Sequence, residues 1–161
     1  MSEASKPFCY QYAHPALGID CLILRIHQHA LQLLTIRRGS DPFKGTPSLP
    51  GGFFDFEDED IKHTAHRELM EETGLEANLH LLGPYSAKDR DPRERTISVA
   101  WWGMAVESAE PKAGDDAASV EWLDPFNLPQ MAFDHNQMIA DLMGRLKAEP
   151  EKYVGMQPYL K

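Results

Sequence analysis

Residues 67–75 read Arg-Glu-Leu-Met-Glu-Glu-Thr-Gly-Leu, a stretch that places three carboxylates within five positions. From Ile61 into this stretch, Ile61, Ala65 and Leu69 recur every four residues, and Gly74 stands where a helix C-cap would be. This spacing predicts an amphipathic helix of about four turns that ends at the glycine. At about 100° per residue, the three glutamates fall within an arc of roughly 100°, beside the apolar edge of the helix.

The three glutamates are Glu68, Glu71 and Glu72, called here the helix acids. Like charges repel at such spacing, and the last turn of a helix disfavours acids because the helix dipole is negative there. Arg67 can pair with Glu71 one turn on, but it cannot neutralise all three carboxylates. Oxygen ligands of this kind suit Mg²⁺ or Mn²⁺, so one interpretation of the helix acids is a metal site. The alternative interpretation is a solvated acidic helix face.

The wider segment resembles the signature of the Nudix hydrolases, Gx5Ex7REUxEExGU with U apolar, and residues 67–75 match every position of its second half. Seven residues separate Glu59 from Arg67, as in the signature, but six rather than five separate Gly52 from Glu59. Either the loop carries an insertion before Glu59, or Asp58 takes the place of Glu59. We favour the insertion, because loops absorb an extra residue more readily than helices do.

The resemblance implies the Nudix fold, an α/β protein in which a mixed sheet (α+β) lies between helices as an α/β/α sandwich. The 161 residues, 42% of them apolar, agree with a single domain. We place an N-terminal lead-in at residues 1–18, the Nudix domain at 19–149 and a C-terminal tail at 150–161.

Local patterns agree with that fold. The β-branched and leucine-rich runs at 19–26 and 31–36 predict a hairpin, and residues 96–106 predict a long strand that contains two tryptophans. Asp134 and Gln137 have the spacing of a capping box, which predicts the start of a second amphipathic helix.

Members of this family hydrolyse nucleoside diphosphates linked to another moiety, and bound divalent cations offset the charge that builds on the phosphoryl oxygens. The resemblance implies that Mg²⁺, with Mn²⁺ as the alternative, is the cofactor, and that any of the helix acids orients or deprotonates the attacking water. It implies that Arg67 holds the acids by salt bridge. The predicted catalytic residues are Glu68, Glu71, Glu72 and Arg67, and the predicted metal ligands are Glu68, Glu72, Glu71, Gly52 and Glu59.

Further segments, at 37–45, 89–93, 115–122 and 132–135, resemble the ADP-ribose pyrophosphatase-like branch of the family and the Nudix domain of regulators of NAD metabolism. A diphosphate suits arginines and a base suits an aromatic wall, although each segment also has a reading as turn or packing chemistry. The predicted substrate-binding residues are Arg38, Phe53, Arg90, Arg93, Asp116, Phe133 and His135.

We therefore expect a metal-dependent pyrophosphohydrolase that acts on phosphorus-containing acid anhydrides and cleaves ADP-ribose to AMP and ribose 5-phosphate. One alternative is a hydrolase of oxidised or non-canonical nucleoside triphosphates, and another is a non-catalytic domain that senses ADP-ribose. The complete acidic half of the signature favours catalysis. Regulators of this type carry a DNA-binding segment after the domain, for which the residues beyond Lys147 leave no place.

The net charge of −9 disfavours nucleic-acid binding, and the apolar runs are too short to span a membrane. We expect a small nucleotide as the substrate partner. The oligomeric state is left open, and a homodimer is one of the possibilities. Only Cys9 and Cys21 are present and the first residues lack a signal peptide, which indicates a cytoplasmic protein.

Overall fold

The computed structural model describes residues 10–114 and 117–160, which form a mixed sheet with one helix on each face. This is the α/β sandwich that the sequence predicts. No helix in this part of the chain combines the length and apolarity needed to cross a membrane. The elements are β1 (Ala16–His27), β2 (Ala30–Arg38), β3 (Pro47–Ser48), β4 (Gly51–Phe53), α1 (Ile61–Thr73), β5 (His80–Tyr85), β6 (Thr96–Met104), β7 (Ala117–Leu123), α2 (His135–Ala148) and a 3-10 helix (Val154–Tyr159).

The sheet is built on the predicted hairpin. Strands β1 and β2 pair antiparallel, with Leu24 opposite Leu33, and their two-residue turn places Gln28 and His29 at φ 48° and 61°. Positive φ at both central positions is what a tight hairpin turn requires. On its other side β1 runs parallel to β6, and the sheet order is β3-β2-β1-β6-β5 with β4 added to β1 and β7 to β2.

Alternating side chains of the strands feed two separate cores. On β1, Ile19 and Cys21 face α1, whereas Leu22 and Leu24 face α2. On β6, Trp101 packs in the core under α1 and Trp102 in the core under α2, and both are buried. Period-two alternation therefore accounts for the helix on each face.

Helix α1 begins and ends as predicted. The Asp60 carboxylate accepts hydrogen bonds from the backbone of Lys62 and His63, and Gly74 ends the helix at φ 66° with its N–H bonded to Met70 O. Glycine adopts this left-handed conformation without a Cβ clash.

The predicted capping box at α2 is wrong. Asp134 stands at the N-cap position, but its side chain makes no cap hydrogen bond and instead binds Arg90. A side-chain cap contributes about 0.5–2 kcal/mol to a helix, so α2 forgoes a real local stabilisation for a contact across the fold.

Ordered strand and core residues lie outside the range 19–149 that the sequence suggests for the domain. Strand β1 begins at Ala16, within the predicted lead-in, because β6 continues the parallel pairing as far as Thr96. In the predicted tail, Met156 is buried against the α2 core.

Candidate active site

Arg67 connects the helix acids to the loop that precedes α1. Its Nη1 donates to Glu68 Oε1 at 2.7 Å and to Glu71 Oε2 at 3.2 Å. Its Nε and Nη2 donate to the two oxygens of Asp58 at 3.0 and 2.9 Å. These hydrogen bonds, above all the pair with Asp58, raise the pKa of Arg67, which therefore carries a permanent charge beside the acids.

The loop contact bears on the choice between Asp58 and Glu59 that the sequence left open. The Asp58 side chain is only 4% exposed and accepts hydrogen bonds from Arg67 and from Thr64 Oγ1. Glu59 is exposed, and its backbone N–H donates to His63 Nδ1. The structure therefore brings Asp58 rather than Glu59 to Arg67, which favours the alternative in which Asp58 takes the signature position, and the metal role predicted for Glu59 stays a prediction.

Two helix acids lie against the glycines of β4. The Gly51 N–H donates to Glu72 Oε2 at 2.8 Å, and a Cβ at Gly52 would collide with the Glu68 carboxylate. Strand β4 holds this position because Gly51 and Gly52 pair with Asp20 and Ile19 of β1. Burial raises the pKa of Glu68, and the neighbouring Arg67 offsets only part of that rise.

This donor set fits a hard divalent cation. Glu68, Glu72 and the Gly52 carbonyl supply only oxygen, the ligand type that Mg²⁺ prefers, and Gly52 leaves no side chain between its backbone and Glu68. Glu71 has a side chain 59% exposed and pairs with Arg67. Within residues 10–114 and 117–160, the side chains of His, Cys, Asp and Glu do not by themselves form a three-ligand group.

A pocket, called here the binding pocket, opens beside the two glycines, between the sheet and the start of α2. It gathers every predicted substrate-binding residue that the structure describes: Arg38, Phe53, Arg90, Arg93, Phe133 and His135. Asp116 lies outside the described residues. On a chain of net charge −9, this concentration of three arginines next to the helix acids is suited to a bound anion.

One wall of the binding pocket is a stack of arginines and phenyl rings. The Arg93 guanidinium lies 5.2 Å from the Phe53 ring centre and 5.6 Å from that of Phe133. The Arg38 guanidinium lies 5.0 Å from the Phe133 ring centre. Phe43 packs edge-on to Phe133 at 4.9 Å. Burial and the charge of Arg93 lower the pKa of Arg38. A planar base or a phosphate finds partners on this wall.

The floor of the binding pocket is a buried polar network. His135 Nε2 lies 3.2 Å from Asp20 Oδ1, and the Ser98 hydroxyl donates to Asp20 Oδ2. Burial alone would raise the pKa of Asp20, but the hydrogen bonds from His135 and Ser98 and the charge of Arg90 hold it below its ordinary value. Asp20 is therefore a carboxylate that stays ionised although it is buried.

Four residues at or behind the binding pocket were not predicted as site residues: Asp20, Phe43, Asp91 and Asp134. Only Asp20 carried a local signal: it is a charged residue inside an apolar run of a predicted strand, and a buried charge needs partners. Asp91 and Asp134 lie in turn and loop segments, where an aspartate is ordinary, and Phe43 lies in the loop between β2 and β3.

Known proteins are similar to this chain in sequence and in fold. The sequence model of the NUDIX domain family matches residues 14–142 of this chain. The chain is 44% identical over 133 residues to an ADP-ribose pyrophosphatase of Methanocaldococcus jannaschii, across 82% of this chain and 75% of that protein. It is 31% identical over 139 residues to the ADPR responsive transcriptional repressor NtrR of Acinetobacter baylyi, across 84% of this chain and 56% of that protein.

Solved structures are also similar to this chain in fold, and two of them contain a bound nucleotide. The NUDIX domain of Shewanella oneidensis NrtR, complexed with ADP ribose, has a TM-score of 0.79 at 27% identity, across 91% of this chain and 99% of that chain. A bifunctional NMN adenylyltransferase/ADP ribose pyrophosphatase from Francisella tularensis, complexed with AMP and a manganese ion, has a TM-score of 0.67 at 25% identity, across 87% and 43%. With the matched signature on α1 and the family model over most of the chain, we conclude that this protein belongs to the Nudix hydrolase family.

Proposed function

We propose that this protein is a metal-dependent pyrophosphohydrolase that cleaves ADP-ribose to AMP and ribose 5-phosphate. The observation that carries the proposal is the contact of Glu68 and Glu72 with the β4 glycines at the edge of a pocket lined by Arg38, Arg90 and Arg93. The acids touch the same two glycines that line the arginine pocket, so a cation held by the acids would lie close to a diphosphate bound by the arginines. The identity of 44% to an ADP-ribose pyrophosphatase supports the choice of substrate.

Glu68, Glu72 and the Gly52 carbonyl would hold Mg²⁺, with Mn²⁺ as the alternative. When bound, such a cation neutralises charge on the phosphoryl oxygens and makes a water molecule more acidic. Arg67 keeps the acids in place without lying in the binding pocket, because its five donors are directed to Asp58, to Glu68 and Glu71, and to the Phe53 carbonyl. Any of the helix acids is a candidate to take the proton of the water.

The reaction adds water across the diphosphate. The water oxygen bonds to one phosphorus, the bridging oxygen leaves with the other phosphate, and the proton of the water is released. Arg38 and Arg93 would bind the diphosphate, and the rings of Phe53 and Phe133 would pack against the base or ribose.

The test is a turnover screen of the purified chain with Mg²⁺, in which ADP-ribose, NADH, diadenosine polyphosphates and oxidised nucleoside triphosphates are compared. We expect AMP and ribose 5-phosphate, identified by chromatography, as the main products. Faster release of pyrophosphate from a nucleoside triphosphate would support the alternative hydrolase instead. Glu72→Gln is the matched control, because it removes a proposed metal ligand and leaves the binding pocket intact.

The second candidate is a domain that binds ADP-ribose without cleaving it, because a 31% identical relative is an ADPR responsive repressor. The full set of helix acids favours catalysis, since a sensor has no physical need for a cluster of mutually repelling carboxylates. Tight binding of ADP-ribose by the wild-type chain without any product in Mg²⁺ or Mn²⁺ would favour the sensor.

We also propose a cytoplasmic protein whose partner is a small nucleotide rather than nucleic acid or a membrane, since the net charge is −9. A homodimer remains a prediction. Light scattering of the purified chain, with and without ADP-ribose, gives the mass that decides between a monomer and a dimer.

A further inference from the structure

The Arg90 side chain is 4% exposed and lies between the binding pocket and a second cleft lined by Phe43, Pro92 and Phe133. Its Nε and Nη2 donate to the two carboxylate oxygens of Asp134 at 3.0 and 2.8 Å. Within the described parts of the chain, Arg90 Nη1 has no hydrogen-bond partner. It is also not one of the fully buried polar atoms that lack a partner, so a small part of its surface is accessible. Asp134 therefore holds one edge of the guanidinium, while the Nη1 edge has no protein partner among the described residues and the residue lines the binding pocket.

Asp20 holds the same guanidinium from a second direction, with its Oδ2 3.5 Å from Arg90 Nη2. Asp20 is itself fixed. The Leu49 N–H donates to His135 Nδ1 at 3.0 Å, so this nitrogen is an acceptor and the ring proton is on Nε2, which donates to Asp20 Oδ1. The Ser98 hydroxyl donates to the other oxygen. Strands β1 and β6 and the start of α2 thus combine to immobilise one carboxylate.

The segment before α2 departs from ordinary local structure at this point. Phe133 has φ 52°, a conformation that is unfavourable for a bulky side chain, and Asp134 leaves the helix N-terminus without a side-chain cap. Such departures persist where surrounding contacts enforce them, and they cluster at ligand sites. Here they place Phe133 in the binding-pocket wall, Asp134 on Arg90 and His135 on Asp20.

We propose that Asp134 and Asp20 are positioning residues that hold the Arg90 guanidinium in one orientation, so that its Nη1 edge binds a phosphate oxygen of the substrate. The inference rests on the proposed function for the identity of that substrate. An arginine whose Nε and Nη2 are already bound loses little conformational freedom when the ligand arrives. The three-residue segment 133–135 then acts as one unit that shapes the binding pocket and sets the direction of its buried arginine.

A purely structural ion pair between the loop before β6 and α2 is the competing explanation. It would stabilise the fold but would not affect ligand affinity in a folded variant. The two explanations therefore differ in the dissociation constant and in KM, measured well below the melting temperature.

The decisive variant is Asp134→Asn, which keeps the shape of the side chain and removes the charge that pairs with Arg90. We expect ADP-ribose binding, measured by calorimetry on the full chain in EDTA, to weaken about tenfold. With Mg²⁺ present, KM should rise about tenfold while kcat stays within about threefold, because binding is lost equally from ground and transition states.

Arg90→Lys carries the same test if Asp134→Asn does not fold. Lysine keeps a positive charge between Asp20 and Asp134 but lacks the planar fork, so we expect a similar loss of affinity. In the Arg90→Lys background, Asp134→Asn should weaken binding by less than about twofold further, because the group that it orients is already gone.

Asp141→Asn is the matched control. Asp141 lies on the same helix and carries the same charge, but it accepts from Tyr85 and Gln137 outside the binding pocket. We expect the Asp141→Asn protein to have the same dissociation constant and KM for ADP-ribose as the wild type.

An Asp134→Asn protein with wild-type affinity and KM but a lower Tm would overturn the positioning role. Wild-type binding without hydrolysis would refute only the proposed function, and the affinity comparison would still decide the role of Asp134. If the wild type bound no ADP-ribose at all, both would be wrong.

Discussion

Asp58 and Arg67 form a two-bond ion pair, with Oδ1 3.0 Å from Nε and Oδ2 2.9 Å from Nη2. The pair leaves Arg67 Nη1 free to bind Glu68 and Glu71. One arginine therefore joins the loop before α1 to two of the helix acids, and the carboxylate that secures it is Asp58 rather than Glu59. A defect in this pair should affect both the stability of the domain and the proposed metal site.

We expect Asp58→Asn to lower the free energy of unfolding by roughly 2 kcal/mol, because hydrogen bonds to charged groups contribute about 1.5–3 kcal/mol each and this change weakens several of them. Turnover should fall as well, since Arg67 loses its anchor. Urea denaturation gives the first quantity. The neighbouring variant Glu59→Gln is the control, and an equal loss of stability there would show that Asp58 has no special role.

The same pair predicts a dependence on pH. Hydrogen bonds from Arg67 and Thr64 hold the pKa of Asp58 well below its ordinary value of 3.8. A carboxyl group with a depressed pKa stabilises the fold above its ordinary pKa, and the stabilisation disappears as the pH falls through the folded-state value. The difference in stability between wild type and Asp58→Asn should therefore be constant from pH 7 to about 5 and shrink below about pH 4. A difference that grew on acidification would contradict the ion pair.

Removal of divalent cations should abolish turnover, because the proposed mechanism relies on metal charge to offset that of the diphosphate. We expect no product in excess EDTA and full recovery when Mg²⁺ is restored. Glu72→Gln should reduce kcat by on the order of a hundredfold or more, through the loss of a ligand. Turnover that persisted in EDTA would exclude this mechanism.

Gly52→Ala should inactivate the protein without unfolding it. A Cβ at this position would collide with the Glu68 carboxylate and displace it. We expect kcat to fall at least about a hundredfold and the concentration of Mg²⁺ needed for half-maximal rate to rise. Gly144→Ala is the control, since Gly144 is an exposed position of α2 and no atom outside the local helix backbone lies within 4 Å of the added Cβ. It should keep full activity and gain about 0.5–1 kcal/mol of stability.

Arg93→Ala should raise KM for ADP-ribose about tenfold and lower stability as well. The loss of stability follows from Asp91, whose side chain is 2% exposed and bound at two points by the Arg93 guanidinium, so the variant removes the side-chain partner of a buried carboxylate and leaves only the backbone hydrogen bond. The double variant Arg93→Ala/Asp91→Asn should recover the stability but keep the high KM. Recovery of KM together with stability would show that Arg93 does not contact substrate.

The sequence by itself determined the helix, the hairpin and the clustering of the acids on one part of α1. Period and spacing act within a few residues, and the positions of Glu68, Glu71 and Glu72 on α1 depend only on the geometry of a single helix. Gly74 as the C-cap and the positive φ of the hairpin turn are equally local.

Only the tertiary structure decided which polar side chains meet. Arg90 and Asp134 are 44 residues apart and Ser98 and Asp20 are 78 apart, so no local period relates them. Asp134 shows the conflict directly: its sequence neighbours favour a helix cap, but the contact with Arg90 takes its carboxylate away from the helix end. An ion pair with a buried arginine outweighs a cap hydrogen bond there, because a buried charge without a partner is more costly than a helix N-terminus left to water.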